Sequence, residues 1–102
     1  MTEPQSGLPG ERARIEAEIE RLAAKRHQLD LARGEFDHEA RRAGDALVRV
    51  GGRSRELEER VKALRANQKL TEADLEKTGG ALAALERRLA AITAEIGRLG
   101  GA

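Results

Sequence analysis

The chain has 102 residues, 36% of them charged, with 19 Lys and Arg nearly balancing 18 Asp and Glu. One aromatic residue, Phe36, and no Trp, Tyr or Cys leave too little bulk for an ordinary globular core, and they exclude disulfides and thiolate metal sites. Arg, Glu, Ala and Leu dominate, as in long helices and coiled coils, and the regular Leu and Ile argue against disorder.

Residues 1–10 carry Pro4, Gly7, Pro9 and Gly10 and lack the basic and apolar regions of a signal peptide, so a flexible N-terminal leader is expected there. The longest run without a polar side chain, residues 79–85, is far short of the ~20 residues that span a bilayer. These features predict a soluble, cytoplasmic protein with no membrane partner.

From residue 11 onward the spacing of large apolar side chains carries the signal. With Ile15 at heptad position d and Ile19 at a, one register runs unbroken to Leu99, and 17 of its 25 a and d sites hold a large apolar residue. Only Leu31, Val48 and Leu70 fall outside it.

A single helix of this length would extend roughly 130 Å, so a break is sought. Gly51-Gly52, followed by Arg53 and the potential cap Ser54, is the best one, because paired glycines cost about 2 kcal/mol inside a helix and readily form turns. The expected fold class is all-α: a long antiparallel coiled-coil hairpin, with a first helix over 11–50, a returning arm over 53–99 and a short tail at 100–102.

Antiparallel helices set a against d, and reversal about Gly52 pairs residues whose numbers sum to 104. Ile15 then meets Leu89, Ile19 meets Leu85, Leu22 meets Leu82, Ala40 meets Leu64 and Ala43 meets Val61. Arg26 falls opposite Thr78 and Arg33 opposite Thr71, so each guanidinium could reach a threonine hydroxyl on its way to solvent. A parallel dimer of straight helices would instead bury each arginine against its own copy.

Two features of the returning arm compete with one continuous helix. Leu70-Thr71-Glu72-Ala73-Asp74-Leu75 reads as a helix start, with Thr71 as cap and Leu70 stapled onto Leu75, and Gly79-Gly80 is a second weak point. A kink or break near 70–80 is therefore an option, and a three-helix bundle is the structural alternative.

No catalytic constellation is visible. Ser6 and Ser54 have no histidine at helical spacing, and His27 and His38 lie about 16 Å apart along a helix axis, too far to share a metal. Glu35 and His38 share a Glu-x-x-His spacing, but the register puts them at c and f, facing solvent. Neither glycine pair resembles a phosphate-binding loop. The expectation is a non-enzyme with no cofactor and no metal.

Two surface features point to binding. Around the reversal, Arg41, Arg42, Arg49, Arg53 and Arg55 are opposed between residues 41 and 55 only by Asp45, a candidate polyanion-binding tip, although no aromatic side chains interleave with them. Elsewhere Ala17, Ala24, Ala84 and Ala91 widen the apolar stripe, and Leu31 and Leu70 sit outside a two-helix seam, which suggests that further helices pack there. The favoured function is a coiled-coil scaffold or adaptor that forms a homodimer of hairpins, a four-helix bundle near the termini, and binds a helical protein partner. A nucleic-acid-binding hairpin using the arginine tip is the alternative.

Overall fold

A computed structural model describes residues 7–100, which form two helices: α1 spans Gly7–Arg49 and α2 spans Arg55–Gly100. The molecule is the expected all-α antiparallel hairpin, reversing at Gly51-Gly52. With only these two helices among the described residues, the three-helix alternative falls away.

α1 begins at Gly7, inside the segment read as a leader, while residues 1–6, and residues 101 and 102 of the tail, lie outside the described residues. The early start has a local cause. Pro9 occupies the first turn, where a missing N–H costs nothing, and Leu8 is half-buried at a d position one heptad before Ile15.

The reversal is built from backbone geometry. Gly51 and Gly52 both adopt a left-handed φ of 73°. The Gly52 N–H donates to the Leu47 carbonyl at 2.8 Å and the Gly51 N–H donates to the Val48 carbonyl at 3.0 Å. This pair of bonds is the Schellman motif, which satisfies carbonyls that the end of α1 would otherwise leave open. On the far side, the Leu57 N–H donates to Ser54 Oγ at 3.2 Å, so Ser54 caps α2 as its side-chain chemistry suggested.

α2 is one helix without interruption through residues 70–80, so the second helix start is not used. Thr71 is a mid-helix residue: its Oγ1 donates to the Asn67 carbonyl at 2.9 Å, one turn back, instead of accepting an N–H as a cap does. Leu70 is 67% exposed, so it does not staple the chain. A capping preference is worth about 1 kcal/mol. Continuing the helix keeps Thr71, Leu75, Thr78 and Leu82 in the seam, all of them buried or half-buried, and that outweighs it.

The two helices divide into two compact units, 7–26 with 78–100, and 27–77. In the first, Ile15, Leu22, Leu82 and Ile92 are buried, with Ile19, Leu85 and Leu89 half-buried between them. An Arg88–Glu11 ion pair joins α2 to α1 there.

In the second unit, Ala40, Ala43 and Leu64 form a buried cluster with Phe36 and Val61 packed against it. The expected partners Ala40 with Leu64 and Ala43 with Val61 therefore share one cluster, in which small residues on α1 admit the larger ones of α2. Beside it, Arg65 Nη1 donates to Asp37 Oδ1 at 2.8 Å.

Among the described residues, all nine buried hydrophobic, polar or charged side chains occupy a or d positions. Among them are Thr71 and Thr78, at 8% and 4% exposure. The expected reach of Arg33 to Thr71 is not made: Arg33 pairs with Asp30 on its own helix, and Thr71 satisfies its hydroxyl on its own backbone. An exposed guanidinium keeps its hydration by staying outside, whereas a buried hydroxyl must find the nearest acceptor. Arg26 is likewise exposed although Thr78 is buried.

Candidate interaction surfaces

The arginines near the reversal separate into distinct environments. Arg41 is tied to Asp37, at 3.2 Å. Arg42, Arg49, Arg53 and Arg55 are exposed and form no ion pair among the described residues.

An open groove of about 470 Å³ runs beside the end of α1. Arg42 and Arg49, seven residues apart on one stripe of α1, line it together with Arg60 from α2. Its apolar wall is Ala43, Ala46 and Leu57, and its acids are Glu39 and Asp45. Arg60 also lacks an ion pair among the described residues. Arg53 and Arg55 do not line the groove, and neither does Arg41.

Arg60 was missed in the sequence because the basic cluster was bounded at residue 55. Its heptad position g, on the edge of the seam where Glu39 of α1 also falls, is the signal that could have found it. The same boundary hid Glu56 and Glu58 in the first turn of α2, where carboxylates favour the positive end of the helix. The groove thus gathers three arginines with two acids, while Arg53 and Arg55 remain exposed outside it.

The association residues are all on the surface. Ala17, Ala24, Ala84 and Ala91 are exposed in the first unit. Leu31, at 52% exposure, and Leu70 are exposed in the second. Val48 and Val50, beside the turn, are exposed as well, because the seam ends at the reversal and Val50 lies in the turn itself.

Two carboxylates have pKa values held below their ordinary range. Asp37 is lowered chiefly by the hydrogen bond from Arg65, against an opposing effect of burial, with the charges of Arg41 and Arg65 adding to the lowering. Glu18 is lowered by the paired hydrogen bonds from Arg21 at 2.6 and 2.7 Å. Both work as ion-pair partners, and neither is poised near neutrality as an acid or base would be.

Comparison with protein-family models, curated proteins and solved structures gives no match. The surfaces must therefore be read from their chemistry alone. Among the described residues no three His, Asp or Glu side chains are placed to hold a metal ion, and His27 and His38 are exposed. No described helix is long and apolar enough to cross a membrane.

Proposed function

We propose that this chain is a non-enzymatic coiled-coil scaffold, or adaptor, that self-associates as a homodimer of hairpins and binds a helical protein partner in the cytoplasm. The observation that carries this reading is the exposure of Leu31 and Leu70. The side chains buried in the intramolecular seam are all a and d residues, yet these two leucines stand 52% and 67% open on outer helix faces. Packing a neighbouring helix over them would remove that apolar surface from water, worth up to about 1.5–3 kcal/mol per leucine if burial is complete.

Light scattering over a concentration series tests self-association. A mass that rises to twice the monomer, and returns to one monomer in Leu31→Glu/Leu70→Glu with helicity retained, is the expected result. A constant monomer mass removes the dimer.

The arginines without ion pairs support a second reading, a polyanion-binding tip. It requires affinity for RNA or duplex DNA that falls steeply with salt, because bound cations displace condensed counterions, and that weakens in Arg49→Ala/Arg53→Ala/Arg55→Ala. Flat isotherms at low salt remove it.

A further inference from the structure

The arginine groove combines two kinds of surface that rarely serve the same ligand unless that ligand is itself amphipathic. Its apolar wall is the half-buried Ala46 and Leu57 over the buried Ala43, and the small Ala46 side chain lets another backbone come close. Its rim holds Arg42, Arg49 and Arg60, none of them ion-paired among the described residues. The rim also holds two carboxylates, Glu39 and Asp45, so three positive charges against two negative leave an excess of one. We propose that this groove is the docking site for an acidic amphipathic helix of a different protein, with small apolar residues against Ala46 and Leu57 and carboxylates seven residues apart against Arg42 and Arg49. The proposal rests on the helical-partner half of the function proposed above and is independent of self-association.

The spacing follows from helix geometry. Arg42 and Arg49 are separated by about 10 Å of rise along α1, so a helix lying alongside would meet both with residues i and i+7. Guanidinium groups favour carboxylates because their forked donors match two oxygens at once. Arg60, from α2, would meet the opposite flank of the incoming helix.

A second copy of this chain does not fit that requirement. Among the described residues, acids seven apart occur twice, as Glu11 with Glu18 and as Asp30 with Asp37. All four are already held in ion pairs, by Arg88, Arg21, Arg33 and Arg65 respectively. A nucleic-acid strand would use the guanidiniums but gains nothing from an alanine wall, and the groove offers no aromatic surface for base stacking.

The test uses the full chain and a fluorescein-labelled 21-residue helical peptide with Ala and Leu on one face and Glu flanking it at seven-residue spacing, read by fluorescence anisotropy. Its counterpart with every Glu replaced by Lys, and a 20-nucleotide RNA, serve as comparators. The expected result is binding of the Glu peptide at least tenfold tighter than either comparator. Arg42→Glu/Arg49→Glu should weaken it at least tenfold, and Arg53→Ala/Arg55→Ala should leave it within twofold.

Ala46→Lys separates docking from simple attraction. It adds a positive charge yet obstructs the wall, so affinity should fall. A rise in affinity in that variant, tighter binding of the RNA, or no binding of the Glu peptide each overturns the proposal. Light scattering on the same samples keeps the two ideas apart: a dimer that ignores the peptide leaves self-association standing, and a monomer that binds it leaves the docking site standing.

Discussion

Replacing Gly51 with alanine should destabilise the protein, whereas the same replacement at Gly80 should stabilise it. At Gly51 the backbone is held at φ 73° by the two turn bonds to Leu47 and Val48, and an added methyl would meet nothing within 4 Å. The cost is therefore conformational alone, about 1–2 kcal/mol for an L-residue in the left-handed region. Gly80 lies inside α2 with equally open surroundings, so alanine there should recover the helix-propensity difference of about 1 kcal/mol. The two variants should differ by about 2–3 kcal/mol, roughly 1–3 M in urea midpoint for a slope near 1–2 kcal/mol/M. Urea unfolding followed by circular dichroism at the helix band reads this directly. A Gly51→Ala protein as stable as the parent would refute the Schellman turn, and a destabilised Gly80→Ala protein would refute a continuous α2.

Three further expectations concern the seam and its borders. Thr71→Val should change stability by less than about 1 kcal/mol, because the lost hydroxyl served only the Asn67 carbonyl, which keeps its helical bond; a large loss in chemical denaturation would mean the hydroxyl holds another partner. Leu64→Ala should cost about 2–3 kcal/mol, the low end for a core leucine, since the cluster around it is small and open to collapse; a neutral result would show that Ala40 and Ala43 do not pack on it. The Asp37 pKa is lowered in the folded chain, so its ion pairs stabilise above the ordinary aspartate value of about 4 and that contribution is lost as pH falls through the lower folded value. Asp37→Asn should therefore flatten stability against pH below about 4 and leave its slope near neutrality unchanged, as a pH series of thermal melts would show.

Much of this architecture was legible before any coordinates. The seven-residue beat from Ile15 to Leu99 is a property of one string of residues, and helix periodicity converts it into a stripe that is buried or half-buried except at Val50 and Leu99, at the turn and near the end of α2. Gly51-Gly52 was readable because only glycine adopts left-handed φ cheaply, and two together leave the helix little reason to continue. Once the reversal is placed, chain connectivity sets which residues can meet, which is why Ala40, Ala43, Val61 and Leu64 form one cluster as the numbering implies.

Other features depended on what lies across the interface. Thr71 carries a helix-start signal in its neighbours, yet that signal is worth less than keeping the seam in phase, and a linear reading cannot weigh one against the other. Arg33 and Thr71 were placed at one level but turned to different partners, because an exposed guanidinium and a buried hydroxyl obey different solvation costs. The joining of Arg60 to Arg42 and Arg49 likewise required the reversal, since those residues lie on different helices and only folding gives them one groove. Periodicity and glycine thus determined the fold from the sequence alone, while the balance of packing against local preference, and the grouping of charges distant along the chain, was decided only when the two helices came together.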